Sequence, residues 1–213
     1  MADGNTHIYF GIGVLAGLPD ELRRRITRDM DAFYLGLQGP DPLIFDPRTQ
    51  KEARRFHKVW EQESLARLTR AMRDGEPSES SFAAGGFLHF ALDDIVHPWI
   101  WEWMKGGTSH MRLELALDFS ILREEGIKRM PRLFTEGKYR VAPYAHLMLP
   151  QAKANHYLTG LRAMQVTIDY IRRQEQLVMS HVTEAEAAQV LILRRKVDEG
   201  ISPTADRLAD LLL

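Results

Sequence analysis

Residues 85–103 read GGFLHFALDDIVHPWIWEW, and within them His89, Asp93 and His97 follow one another at intervals of four. Four residues is a little over one helical turn, so the three side chains would line one helix face. In the next helical stretch His110 and Glu114 repeat the interval. Two neighbouring antiparallel helices would then point five nitrogen and oxygen donors into one gap. Helical bundles build metal sites in this way, from inward-facing carboxylates and histidines. Asp93 falls inside an otherwise apolar run that includes Phe90, Leu92 and Val96, where a carboxylate is costly unless it is paired or bound to metal.

Imidazole and carboxylate without thiolate suit zinc, with iron, manganese or nickel as other fits. A zinc ion with three protein ligands keeps a position open for water and lowers the pKa of that water toward about 7. Five converging donors exceed the need of one tetrahedral ion and point to a multinuclear site. Three upstream residues can complete it: His7 in THIYFG, Asp41 in QGPDPLIF and His57 in RFHKVWE. Two zinc ions roughly 3.5–4 Å apart can stabilise both the attacking and the leaving oxygen of a displacement at phosphorus.

The elements that must position these residues read as helices throughout, with no clear strand or repeat. Pro19-Asp20-Glu21 opens a short helix, and residues 29–37 form a second, ended by Gly39-Pro40-Asp41-Pro42, a stiff turn that fixes the direction of Asp41. Helical spacing continues over residues 49–73 and, after Asp74-Gly75-Glu76-Pro77, over residues 78–104 as a long buried helix. Ser109 can cap the next helix, to about Glu125. Residues 126–144, with Pro131, Gly137 and Pro143, read as a loop-rich excursion. Helices then follow over 150–180 and 183–199, the second opened by the capping pattern Thr183-x-x-Glu186, and Ser202-Pro203 starts a last short one. The expectation is an all-α, single-domain helical bundle spanning 1–213, with a multinuclear metal site between helices.

Composition narrows the function classes. The 213 residues contain no cysteine, which removes disulfides, thiolate metal sites and thiol nucleophiles. With 28 Lys+Arg against 29 Asp+Glu the net charge is −1, without the basic excess of a generic nucleic-acid binder, so no stable nucleic-acid partner is expected. No run approaches the roughly 18–20 apolar residues of a membrane span. The N-terminus shows no basic segment followed by an apolar run, so the expected location is cytoplasmic.

Taken together, TH at 6–7, DAFYLGLQGPD at 31–41, His57, HFALDDIVH at 89–97 and HMRLE at 110–114 resemble the zinc-dependent phospholipase C family and the single-strand nucleases that share its fold. The match in motif detail covers roughly residues 5–118 and is closest to the short bacterial members without a signal. The resemblance implies that Asp41, His57, His89 and Asp93 hold one zinc, and that His97, His110 and Glu114 hold a second. It implies a third zinc bridged by Asp93 and shared with His7 and the amino and carbonyl groups of an N-terminal tryptophan. This chain begins Met1-Ala2 instead, so two ions are expected, and a third only if a processed N-terminus such as Ala2 can chelate. Three bound Zn²⁺ would turn the formal −1 into about +5.

The chemistry implied is a zinc-dependent hydrolase acting on phosphoester bonds, a phosphodiesterase or phosphomonoesterase. Asp41 is the candidate to orient or deprotonate the attacking water, and the substrate would be a small phosphoester or a phospholipid head group. Asp31, Asp118 and Glu61 are candidate acceptors for the ligands' second ring nitrogens, and Asp94 faces away as a capping or supporting group. Trp99, Trp101 and Trp103 alternate, which fits core packing or a substrate wall, while His146, His156 and His181 lack partners at ligand spacing. Two other classes stay open: a metal-stabilised binding or scaffold protein without catalysis, and a single-strand nuclease-like hydrolase.

Overall fold

In the computed structural model, which describes residues 4–126 and 137–213, thirteen α-helices and no strand occur among the described residues. The all-α bundle expected from the sequence is therefore the observed fold. Calls made on residues 1–3, and on the part of the 126–144 excursion that holds Pro131, lie outside the described residues.

The bundle is arranged around α7 (Pro77–Met104), in which residues 80–93 are buried without interruption. A helix apolar on every face needs neighbours on every face. They are α1 (Gly4–Gly17), α2 (Asp20–Ile26), α3 (Met30–Gly36), α6 (Trp60–Asp74), α8 (His110–Glu124) and α13 (Glu184–Leu212). Between α3 and α7 the two backbones nearly touch. A Cβ on Gly36 would lie 2.2 Å from the Phe82 carbonyl oxygen, and one on Gly85 would lie 2.3 Å from that of Phe33. Small residues at this crossing bring the chain after α3 directly over the middle of α7.

Several boundaries differ from the sequence expectations. The helix expected over 49–73 is two helices, α5 (Gln50–Phe56) and α6, with His57 in the break. Phe56 and Trp60 both pack on Phe90, at 5.7 and 4.8 Å between ring centroids, and the chain bends between them to bring both rings there. The short α4 (Asp41–Ile44) occupies the proline turn and packs on α11 (Ala154–Arg173). The helix expected over 150–180 breaks at Gln174 before α12 (Glu175–Ser180).

From Gly137 the expected loop is helical, as α9 (Gly137–Val141), a 3-10 turn and α10 (Ala145–Met148). Pro203 starts no helix: α13 runs through it. The lost hydrogen bond and ring clash cost about 3 kcal/mol, offset by burial of Val197 before it and Ala205, Leu208 and Leu212 after it. Helix α1 had no signal in the sequence, since four of its fourteen residues are glycine. The capping expectations hold, with Ser109 accepting from the Arg112 N–H and Thr183 and Glu186 forming a reciprocal box. Among the described residues no helix is long and apolar enough to cross a membrane.

The α3–α7 contact yields a stability prediction. Gly85→Ala drives a methyl group into a backbone carbonyl that cannot swing aside, and it should cost about 3 kcal/mol. For a chain of this size that is a fall in Tm of roughly 6–12 °C, to be read by thermal unfolding followed by circular dichroism.

Candidate metal centre

Asp93 sits at the middle of the centre, on the buried face of α7 and 4% exposed. One carboxylate oxygen, Oδ1, lies 3.4 Å from His7 Nε2 and 3.6 Å from His97 Nδ1. The other, Oδ2, lies 3.0 Å from His57 Nδ1 and 3.3 Å from His89 Nε2. Four imidazoles from α1, the α5–α6 break and α7 thus surround one carboxylate. Asp41 Oδ1 is 3.1 Å from His57 Nε2 on one side of this group. On the other side Glu114 Oε1 is 3.2 Å from His97 Nε2 and 2.7 Å from His110 Nε2. The structure brings all eight sequence-selected residues into one continuous cluster.

Within it, three sets of donors each lie within 4.8 Å of one another and could hold a cation: His7, His89 and Asp93; Asp41, His57 and His89; His97, His110 and Glu114. The last set matches the one implied by resemblance. His89 borders both of the others, since its ring stacks on His7 at 4.2 Å and its Nε2 faces Asp93.

Local backbone structure fixes these side chains. His89 Nδ1 donates to the Leu37 carbonyl at 3.1 Å, which sets the tautomer and leaves the lone pair of Nε2 facing the carboxylates. Gly39 makes that approach possible: its φ is +52°, and a Cβ there would lie 2.3 Å from the His89 ring. Two residues on, Asp41 enters the cluster from the first turn of α4. Asp118 holds α1 in place, accepting from the backbone N–H groups of Asn5 and Thr6 and from both of their side chains. Expected as an acceptor for ligands on its own helix, it instead anchors the turn that carries His7.

The remaining supporting candidates lie apart from the donors. Glu61 pairs with Arg207 on the surface, and Asp94 accepts from the Trp60 indole. His146 and His181 bond to the backbone carbonyls of Pro143 and Leu177, and His156 belongs to the start of α11. Of the three alternating tryptophans Trp101 reaches the site, stacked on His97 at 5.4 Å with its planes 7° apart.

The electrostatics are those of a cation-binding cluster. Burial works against ionisation of Asp93, yet the imidazoles of His89, His97, His57 and His7 hold its carboxyl well below the usual range. Glu114 is likewise buried and held low by His110 and His97. Burial pulls the His57 imidazole down, but the Asp41 and Asp93 carboxylates outweigh it and carry it up to about 9. His7 goes the other way, lowered by burial and by His89. Among the described residues the buried atoms His7 Nε2, His89 Nε2 and Asp93 Oδ1 have no hydrogen-bond partner. Leaving such atoms unsatisfied is costly, and their convergence as nitrogen and oxygen donors fits zinc.

Beside the cluster opens a cavity of about 150 Å³, lined by Asp41, His57, Asp93, His97 and His110 together with Ile44, Arg54, Lys58 and Trp101. The last four lack the ligand spacing that singled out the others; Trp101 does lie four residues after His97.

A family model described as zinc-dependent phospholipase C matches residues 6–167, a span that contains all eight residues of the cluster and continues into α11. The chain belongs to that family. No curated protein and no solved structure matches it individually.

Two outcomes follow from the geometry. Asp118→Asn replaces one of two acceptor oxygens, each shared by two donors, with an amide that donates; it should loosen the start of α1 and weaken zinc binding by about 10–100-fold, read by competition with a chromogenic chelator. Zinc must also displace the proton held by His57, whose upward-shifted pKa favours the protonated form below about 9. Zinc affinity should therefore rise by up to about tenfold per pH unit from pH 7 and level off near pH 9, as measured by the same competition across pH.

Proposed function

We propose that this chain, as one domain over residues 1–213, is a zinc-dependent phosphoesterase that hydrolyses a phosphodiester or phosphomonoester with metal-activated water. The carrying observation is the junction of a buried His–carboxylate cluster with an open cavity. Asp41, His57, Asp93, His97 and His110 belong to both. A site meant only to brace the fold would be closed on all sides, whereas these donors reach an open cavity of about 150 Å³. Membership of the zinc-dependent phospholipase C family supports the same reading and favours a lipid-type substrate.

In this reading Asp41, His57, His89 and Asp93 hold one zinc, and His97, His110 and Glu114 hold a second. His7 and Asp93 contribute to a third. Zinc held there supplies Lewis acidity toward a phosphoryl oxygen and makes water acidic enough to ionise near neutral pH. The Asp41 carboxylate stays ionised: burial opposes this, but His57 and His89 hold its pKa down. Its Oδ1 is therefore an acceptor that orients the attacking water. Asp93 and Glu114 keep their imidazole neighbours aligned, and Leu37 prevents His89 from rotating. Trp101 and Ile44 give the cavity an apolar wall that limits water around the scissile bond.

Metal analysis of mildly purified protein should find two or three zinc ions per chain. Hydrolysis of p-nitrophenyl phosphate or bis-p-nitrophenyl phosphate should be lost on chelation and restored by zinc. Asp93→Asn should lower kcat by at least about a thousandfold. Stoichiometric zinc without turnover of any phosphoester would overturn this reading in favour of a metal-stabilised binding protein.

A further inference from the structure

Two cations line the cavity without a counter-charge. Arg54, in the last turn of α5, and Lys58, just after His57, are exposed along its wall. Neither side chain makes a hydrogen bond or an ion pair among the described residues. Their neighbours do: Arg55 is paired with Glu63, and Arg48 with the buried Asp46. The acids that line the cavity are Asp41 and Asp93, and both are turned toward imidazoles. Arg54 and Lys58 therefore flank His57 with their charge uncommitted, next to the place where a phosphoryl group would sit. A guanidinium and an ammonium together can take one carboxylate or phosphate, the first as a planar fork and the second as a point charge.

We propose that Arg54 and Lys58 bind a second anionic group on the substrate, a carboxylate or a further phosphate carried by the alcohol portion. They would thereby select such phosphoesters over those with a choline- or ethanolamine-like cation. The proposal rests on the phosphoesterase reading, because it takes the first phosphoryl group to lie at the metal cluster. Trp101 is the feature that could favour a quaternary ammonium, through attraction of a cation to its ring face. His97 already covers one face of that ring, and one aromatic residue beside two positive side chains makes a poor ammonium cage. Charge decides against it.

The test is binding to the zinc-loaded protein by calorimetry, with 3-phosphoglycerate, glycerol 3-phosphate and phosphocholine as probes. The first two differ by a carboxylate in place of a hydroxymethyl group. 3-Phosphoglycerate should bind about tenfold more tightly than glycerol 3-phosphate, and phosphocholine should be weakest. In Arg54→Gln/Lys58→Gln the gap between the first two should shrink to about twofold, with zinc content unchanged, while Arg54→Lys should keep most of it. Equal affinities, tightest binding of phosphocholine, or a gap that survives the double substitution would overturn the proposal.

Vesicles of phosphatidylserine and of phosphatidylcholine, compared by sedimentation, separate the two sources of such a ligand. A preference for phosphatidylserine that the double substitution removes assigns the anion to a lipid head group. A preference confined to the soluble probes assigns it to a free phosphoester. Failure of the two readings is distinguishable: charge selection without turnover of any phosphoester sinks only the hydrolase, and turnover without charge selection sinks only this proposal.

Discussion

A carboxylate in the middle of a largely buried helix is costly to keep ionised without polar partners beside it, because little water reaches it. Asp93 occupies that position on α7. Elsewhere on the helix burial is supplied by apolar side chains, so the imidazoles that face Asp93 come from its own helix and from two other segments. His7 comes from α1, His57 from a helix break, and His89 and His97 from the turns before and after. Removing one partner from a buried charged group is generally far more damaging than losing a surface ion pair. The arrangement of three chain segments, α1, the α5–α6 break and α7, is thus tied to the desolvation of one side chain.

The neighbouring elements act as a positioning frame for that cluster. Close approach of α3 to α7 places the Leu37 carbonyl where it can hold the His89 ring, and the left-handed backbone at Gly39 lets the chain pass over that ring and deliver Asp41. Asp118 does the same for α1 from the opposite side of the bundle. These contacts use backbone groups as much as side chains, which leaves little freedom for the donors to drift.

What could be read from the sequence was what obeys helical periodicity. The pairs His89/Asp93, Asp93/His97 and His110/Glu114 keep an interval of four on unbroken helices, so their convergence needed only that α7 and α8 be neighbours. Family membership was legible from the same residues, and the family match runs further, to residue 167, than the motifs themselves. His57 was recognisable as a candidate but not as the occupant of a helix break, because that break follows from Phe56 and Trp60 both seeking Phe90. Asp118 shares its helix face with Glu114, yet its partners lie more than a hundred residues away, beyond any local pattern. Pro203 misled in the other direction, since burial on both sides of a proline can outweigh its local preference.

The chain has no disulfide to tie its distant segments together, but the cluster offers an equivalent. An ion shared by residues 7, 89 and 93, or by 41, 57 and 89, closes long loops of chain reversibly and at a cost in entropy that grows only slowly with their length. Release of such a cross-link needs no reductant. Loss of the ion would remove a tie on His7 of the first helix and on His57 at the α5–α6 bend, whereas the backbone contact between α3 and α7 owes nothing to metal.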